Sequence, residues 1–180
     1  RSIILSRFLK TLKNKPFSLI MSLPRNDIEL AHMAEEAGAD AIKIHINVEH
    51  RASGTYFGPF IEEKNTIKSI LKTAKVPVGI VPGAEKIATK DEMMELLDMG
   101  IDFFDIYIEN IPAFMLELPE TLGRMYAPGY TTDLKVLQFL ENWGMDMLEA
   151  SVMATEHYGR ELRLSHLLLY QWICKNSKSP

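Results

Sequence analysis

Three short segments decide the fold: Gly38-Ala39-Asp40, Gly100-Ile101-Asp102 and Gly144-Met145-Asp146. Each one follows a helical pattern and precedes a short β-like run. Glycine readily adopts the left-handed conformation that ends a helix, so the repeat marks three junctions between a helix and a strand. The repeat therefore predicts a chain built from similar units of one strand and one helix.

Six β-like runs alternate with longer helical patterns along the chain. The predicted strands are Phe17–Leu23, Ala41–Asn47, Val78–Val81, Phe103–Glu109, Arg124–Ala127 and Met147–Val152. The predicted helices are Ser2–Leu12, Asp27–Ala37, Ile61–Ala74, Lys90–Met99, Asp133–Trp143 and Glu161–Lys175, with a shorter one at Ala113–Glu117. This alternation indicates βαβ units around a parallel sheet.

The predicted fold class is α/β, and the units fit a TIM-type (β/α)₈ barrel that stops after six βα units. The loops that follow strands are long and polar, notably Val48–Phe60, Pro82–Thr89 and Met153–Arg160, and sites in such barrels lie among these loops. Lys178-Ser179-Pro180 stands where a seventh strand is expected. We interpret residues 1–180 as a single barrel domain that lacks units seven and eight. The alternative is an open, doubly wound parallel sheet.

The composition is that of an ordinary globular protein, with 47% hydrophobic and 24% charged residues. A net charge of -4 argues against a nucleic acid held by its phosphates. No segment contains the roughly 18 consecutive apolar residues of a membrane span. Cys174 is the single cysteine, so an internal disulfide is excluded. We expect a cytoplasmic protein without nucleic-acid or membrane partners, and the sequence leaves room for a homo-oligomer.

Alternation along each strand separates the side chains that face the helices from those that face the barrel axis. Counted from each repeated Asp, the even positions are apolar and must face the helices. The odd positions then face the axis, with Ala41, Phe103 and Met147 at the bottom and Lys43, His45, Asn47, Asp105, Tyr107, Glu109, Glu149 and Ser151 above them. Equal positions on alternate strands fill one layer, so Lys43, Asp105 and Glu149 are predicted to meet.

This charged layer is the candidate for catalysis. A Lys between two carboxylates in a partly dry barrel acquires pKa values suited to proton transfer. Asp105 and Glu149 are predicted as general acid and base. Lys43 is predicted as the electrophile that stabilises an enolate or, when deprotonated, as a Schiff-base nucleophile. The alternative is a buried salt-bridge network that binds no substrate.

Further polar side chains are candidates for binding a substrate. They are His45, Asn47, Arg51, Ser53, Tyr107, Glu109 and Ser151. Arg51 and Ser53, in the loop after the second strand, offer donors for a phosphate or a carboxylate. His45 with Glu109 and Glu149 offers the imidazole and carboxylate ligands of a divalent metal, although their spacing matches no metal motif. We expect a small anionic substrate, and either no cofactor or a divalent metal.

The second unit resembles the ribulose-phosphate-binding barrels, in particular the pentulose-phosphate 3-epimerases. The similarity is carried by Gly38-Ala39-Asp40, His45-Ile46-Asn47-Val48 and Thr55-Tyr56-Phe57-Gly58-Pro59. It implies a phosphorylated, sugar-like substrate and a metal-ligand role for His45. Asn47 stands where that family has an acid/base Asp, and an amide cannot take up and release a proton. The epimerase mechanism therefore does not transfer with the resemblance.

These features together predict an enzyme of the isomerase or lyase kind. It would act on a small phosphorylated or anionic carbonyl or sugar compound by proton transfer or carbon–carbon bond chemistry, as an epimerase, isomerase, aldolase or decarboxylase does. The alternative is a non-catalytic barrel that binds a metabolite or has a regulatory role.

Overall fold

A curled sheet of parallel strands forms the centre of the protein, in a computed structural model that describes residues 5–180. The helices and strands, in chain order, are α1 (Arg7–Asn14), β1 (Ile20–Ser22), α2 (Ile28–Glu36), β2 (Ala41–His45), β3 (Val48–His50), β4 (Thr55–Phe57), α3 (Phe60–Thr73), β5 (Val78–Val81), α4 (Lys90–Met99), β6 (Phe103–Tyr107), β7 (Gly123–Ala127), α5 (Leu137–Leu140), β8 (Met147–Leu148) and α6 (Leu164–Asn176). Short 3₁₀ helices cover Ile108–Asn110, Ala113–Glu117, Leu134–Val136, Glu141–Trp143 and Thr155–His157.

The order of strands in the main sheet is β1-β2-β5-β6-β7-β8, and every neighbouring pair is parallel. Strands therefore follow one another across the sheet in chain order, whereas a doubly wound sheet reverses direction at a switch point. The prediction of a TIM-type barrel fold with six βα units is confirmed, and the doubly wound alternative is wrong. Strand β8 lies at the edge of the sheet, and its Leu148 amide donates a hydrogen bond to the Pro180 carbonyl at 2.9 Å.

The repeated Gly-x-Asp segments join helix ends to the sheet as predicted. Their glycines adopt positive φ angles of 96°, 107° and 83° at positions 38, 100 and 144. Each repeated Asp then donates its backbone amide to the neighbouring strand, with carbonyl acceptors on Leu19, Val78 and Arg124 for positions 40, 102 and 146. Because the same hydrogen bond starts strands β2, β6 and β8, their residues enter the barrel in the same phase.

Asp102 has a second role, because its side chain holds helix α1 under the barrel. Its carboxylate accepts hydrogen bonds from the Ser6 hydroxyl (2.7 Å) and from the backbone amides of Arg7 (2.7 Å) and Phe8 (2.9 Å) at the start of that helix. The Phe8 ring stacks on Phe103, with centroids 5.1 Å apart. The two rings belong to an apolar cluster at the bottom of the barrel, whose buried residues are Phe8, Leu9, Ala41, Phe103, Met125 and Met147. The predicted apolar bottom is confirmed, and α1 closes it.

The other face of the strands packs against the helices. Ile42, Ile44, Phe104 and Ile106 are buried in one core with residues of α2, α3 and α4. The prediction that even positions face the helices is therefore confirmed for β2 and β6. In residues 5–180 no helix is both long and apolar enough to cross a membrane.

Several predicted boundaries are wrong because strands end where their neighbours stop pairing with them. The first strand covers only Ile20–Ser22 and the last only Met147–Leu148, while β2 ends at His45 and β6 at Tyr107. The predicted helix Asp133–Trp143 is a short α-helix between two 3₁₀ segments. Helix α1 begins at Arg7 rather than Ser2, and residues 1–4 lie outside the described chain.

The loop after β2 contains an antiparallel hairpin that the sequence patterns did not predict. Asn47 turns the chain with a φ of 54°, and β3 then pairs with β4 through Val48 and Phe57. The Gly54 amide closes the tip by donating to the His50 carbonyl at 2.8 Å. We call residues 48–57 the β3–β4 hairpin. Polar turn composition alone does not reveal such a pairing, because two three-residue strands are too short for a clear alternation.

Gly79 provides a test of the packing inside the barrel. A Cβ atom at this position would lie 2.2 Å from ring atoms of Phe103, whose ring is fully buried. Gly79→Ala should therefore lower the free energy of unfolding by about 1–3 kcal/mol, measured by denaturant titration. Gly129→Ala is the control, since its Cβ would meet no atom closer than 3.6 Å. Adding Phe103→Leu to Gly79→Ala should recover part of the lost free energy of unfolding, because the smaller side chain makes room for the Cβ atom. If the effects of the two substitutions on this free energy simply add, the packing described here is contradicted.

Candidate functional site

A cavity of about 950 Å³ opens at the carboxyl ends of the strands, where the sequence predicted a site. Its lining includes Lys43, His45, Asp105, Tyr107, Glu149 and Ser151. The β3–β4 hairpin and the loop after β5 contribute the rim. The apolar cluster around Phe103 closes the barrel below the charged layer, on the side opposite to the cavity mouth.

Lys43, Asp105 and Glu149 meet at the bottom of this cavity. The Lys43 ammonium donates a hydrogen bond to Asp105 at 2.5 Å and another to Glu149. Lys43 and Asp105 are buried, with exposed fractions of 9% and 3%, whereas the Glu149 side chain is partly open. Glu149 lies just after β8, where its amide donates to the Tyr126 carbonyl at 3.0 Å. The predicted meeting of the three side chains is present in the structure, and their catalytic roles stay predictions.

The protonation states of the layer follow from burial and charge balance. Burial alone would lower the pKa of Lys43, but the two carboxylates outweigh it and raise the pKa above its usual value. Burial raises the pKa of Asp105 well above the usual value of a carboxyl. Burial would also raise the pKa of Glu149, but hydrogen bonding with Asp105 and the Lys43 charge hold it below its usual value. The pKa values of the two carboxyl groups are therefore shifted in opposite directions, and Asp105 binds a proton more readily than Glu149 does.

The next layer towards the opening contains Tyr107 and Ser151, whose hydroxyl oxygens lie 2.8 Å apart. Burial raises the pKa of Tyr107, so the phenol stays protonated. His45 was predicted in the same layer, but its Nε2 lies 3.2 Å from the hydroxyl of Ser22 on β1. The layer is therefore split into a Tyr–Ser pair and a separate histidine.

His45 is the inner end of a chain of hydrogen bonds that runs out to the hairpin. The chain is His45–Ser22 (3.2 Å), Ser22–His50 (3.3 Å), His50–Ser53 (2.6 Å), Ser53–Thr55 (2.6 Å) and Thr55 to the Pro24 carbonyl (2.6 Å). Each hydroxyl has one hydrogen to donate, and a carbonyl oxygen can only accept. The direction of every bond can therefore be assigned from the outer end.

Thr55 must donate its hydrogen to the Pro24 carbonyl, so it accepts from Ser53. Ser53 has then used its hydrogen, and it must accept one from the Nδ1–H of His50. Burial, with the nearby Lys43 charge, lowers the pKa of His50 and favours the neutral ring. A neutral ring with a proton on Nδ1 has a free electron pair on Nε2. His50 therefore accepts a hydrogen bond from Ser22.

Ser22 has thus donated its hydrogen to His50 and must accept one from the Nε2–H of His45. Burial and the neighbouring His50 and Lys43 lower the pKa of His45 to about 3, so this ring is neutral as well. Its Nδ1 is then an unprotonated acceptor, and this buried atom has no hydrogen-bond partner within residues 5–180. His45 is held as a neutral imidazole of one tautomer.

Two residues predicted to bind substrate do not line the cavity. The Ser53 hydroxyl is committed to the chain between His50 and Thr55. Glu109 lies in a 3₁₀ turn beyond the end of β6, is exposed, and accepts a hydrogen bond from the Thr132 hydroxyl. The expectation that Glu109 faces the barrel axis is wrong, because strand alternation stops at Tyr107. Asn47 and Arg51 do line the cavity, and their contacts with a substrate stay predictions.

The structure does not bring together the metal ligands that the sequence suggested. Among residues 5–180 no three His, Cys, Asp or Glu side chains are arranged to hold a metal ion. Glu109 lies outside the cavity, and Glu149 is engaged by the Lys43 ammonium. The proposed combination of His45, Glu109 and Glu149 therefore does not form.

Ser22 and His50 are site residues that the sequence reasoning missed. Ser22 pairs in register with Lys43, so alternation along the first strand would have placed it on the inner face. His50 reaches Ser22 only because the hairpin folds back over the barrel, and no local sequence pattern predicts that contact.

The hydrogen-bond chain predicts the tautomers of two histidines. His45 should carry its proton on Nε2 and His50 on Nδ1, and long-range ¹H–¹⁵N spectra at neutral pH measure both. Thr55→Val removes the outer donor, which frees Ser53 to donate to His50, so the tautomer preference of His50 should weaken. His32 lies on α2 and takes no part in the chain of hydrogen bonds, so it is the internal reference. A proton on Nδ1 of His45 in the unmodified protein would contradict the assigned directions.

The comparisons with known proteins bear on the fold. The crystal structure of phosphoenolpyruvate phosphomutase from Streptomyces platensis subsp. rosaceus is similar, with a TM-score of 0.51 and 13% sequence identity. The alignment covers 78% of this chain and 61% of that one, so this chain spans about three fifths of its neighbour's length. No family model matches the chain, and the search of curated proteins gave no match. The chain therefore has a TIM-type fold, and the ribulose-phosphate-binding family stays a resemblance of one unit.

Proposed function

We propose that the protein is an enzyme that moves a proton to or from carbon in a small phosphorylated or anionic carbonyl compound. The reaction belongs to the isomerase or lyase kind, in which an enolate forms and is reprotonated. Lys43 stabilises the enolate oxygen, and Asp105 and Glu149 exchange the proton. The substrate enters through the cavity at the carboxyl ends of the strands.

The charged layer is the observation that carries this proposal. The pKa of Asp105 is raised and that of Glu149 is lowered, although both carboxyl groups contact the same ammonium. Two carboxyl groups with separated pKa values are the usual arrangement for an acid and a base that act together. The partly open Glu149 faces the cavity, so it can reach a substrate proton, and Asp105 behind it can supply one.

The protonation state of Lys43 favours one of its two predicted roles. Its raised pKa keeps the side chain as an ammonium, which stabilises a developing oxyanion by charge and hydrogen bonding. A Schiff-base nucleophile must instead be a neutral amine, and such lysines have a lowered pKa. We therefore assign Lys43 the role of electrophile.

The likeness to the phosphomutase supports this choice only through the fold. That neighbour's name places phosphoenolpyruvate, a phosphorylated compound, in a barrel of this type. The resemblance of the second unit to pentulose-phosphate epimerases also indicates a phosphorylated substrate. The proposal extends both to this chain, and the chemistry is derived from its own side chains.

Solvent deuterium exchange tests the proposal whichever product the reaction forms. The full chain is incubated in D₂O with a panel of ketose phosphates, aldose phosphates and 2-oxo acids, and deuterium on carbon is measured by NMR. At least one compound should exchange, and Asp105→Asn should slow the exchange by about 10²-fold or more, because an amide cannot transfer the proton.

Asp98→Asn makes the same chemical change on an exposed position of α4 and should leave the exchange rate unchanged. Equal exchange in the Asp105 variant would remove the assigned role. If a panel compound binds and stabilises the protein but none exchanges, the non-catalytic metabolite-binding barrel is the correct function.

A further inference from the structure

Arg51 stands at the rim of the cavity on the tip of the β3–β4 hairpin. Its guanidinium carbon lies 5.2 Å from the centroid of the Tyr107 ring at the end of β6. The side chain thus spans from the second unit to the end of another strand. A contact with an aromatic face positions the cation without neutralising its charge, and it leaves the N–H donors of the guanidinium available.

Lys86 lies on the loop after β5 and lines the same cavity. The backbone conformation of this loop is sterically restricted. Gly83 has a φ of 138°, and a Cβ atom there would lie 1.9 Å from the carbonyl oxygen of Lys86. The Ala88 amide closes the loop by donating to the Pro82 carbonyl at 2.9 Å. The loop therefore presents Lys86 from a tight turn.

Neither cation is paired with an acidic side chain in the part of the protein that the structure describes. Within residues 5–180, Arg51 and Lys86 form no ion pair and no side-chain hydrogen bond, whereas Lys43 is paired twice. Glu49 and Glu85 also line the cavity, but neither lies within ion-pair distance of the two cations. Arg51 and Lys86 are thus two cations at the cavity mouth whose donors are available to an anionic group.

We propose that Arg51 and Lys86 form an anion subsite that binds the phosphate group of the substrate at the cavity mouth. The guanidinium edge binds two phosphate oxygens, and the Lys86 ammonium supplies a point charge from the neighbouring loop. The carbonyl end of the same molecule then extends down to Lys43. This assignment rests on the proposed function for the reacting end of the substrate and on Arg51 and Lys86 for the other end.

Ser53, although predicted to bind the same anion, is not part of this subsite. Its hydrogen is donated to Thr55, and its oxygen already accepts from His50. Its role is to hold the hairpin through that chain, and the hairpin in turn places Arg51 above Tyr107. The subsite therefore depends on Tyr107 as a platform as well as on the two cations.

Binding of inorganic phosphate to the full chain, followed by ³¹P line broadening at constant ionic strength, tests the subsite. The unmodified protein should bind phosphate saturably. Arg51→Met and Lys86→Met should each weaken binding by about tenfold or more, because each removes a charge-assisted hydrogen bond. Tyr107→Leu keeps both cations but removes the platform and should weaken binding to a smaller extent. Lys68→Met, at an exposed position of α3, is the control and should bind like the unmodified protein.

The outcomes separate this subsite from the proposed reaction. Asp105→Asn should lose deuterium exchange and keep phosphate binding. Phosphate binding that needs Arg51 and Lys86, in a protein that exchanges no substrate proton, would support the subsite and reject the reaction. Absence of saturable binding, or equal binding in the Arg51, Lys86 and Lys68 variants, would overturn the subsite whatever the exchange result.

Discussion

The other features of the site depend on the ion pairs that the buried Lys43 ammonium forms with Asp105 and Glu149. A charge inside a protein is strongly unfavourable unless a partner of opposite charge and hydrogen bonds compensate it. Here a single ammonium meets two carboxyl groups, so only one of them can be ionised without excess negative charge. The raised pKa of Asp105 and the lowered pKa of Glu149 agree with this charge balance, and the proposed acid–base role rests on this pair.

The apolar parts of the barrel maintain this condition. Phe103 and Phe8 close the bottom, and Asp102 fixes helix α1 beneath them, so apolar side chains shield the layer from that side. The repeated amide hydrogen bonds at the starts of β2, β6 and β8 put Lys43, Asp105 and Glu149 at the same height. The register of the strands therefore determines which side chains meet at the candidate site. A shift of one residue in any of these strands would turn its charged side chain towards the helices.

The parts of the site that lie on regular strands could be predicted from the sequence. Lys43 and Asp105 alternate with isoleucines and phenylalanine that must be buried, so their direction follows from the period of two. Glu149, one residue past β8, still follows this phase because its amide continues the pairing with β7. Glu109 does not, since the chain has already entered a 3₁₀ turn. His50 and the hairpin were missed because their positions depend on contacts with Ser22 and Pro24, which are distant in the chain.

A buried charge network of this kind contributes little net stability, because the desolvation of the ions offsets their attraction. Stability alone therefore does not account for the layer, which agrees with the proposed role in proton transfer. The most direct test is the free energy of unfolding of the triple variant Lys43→Met/Asp105→Asn/Glu149→Gln, compared with Lys43→Met alone. We predict that the triple variant stays within about 1 kcal/mol of the unmodified protein, while the single variant loses about 3 kcal/mol because its carboxyl groups lack the cation. A triple variant as unstable as the single one would show that the network contributes to the stability of the fold and would contradict the account of the layer as stability-neutral.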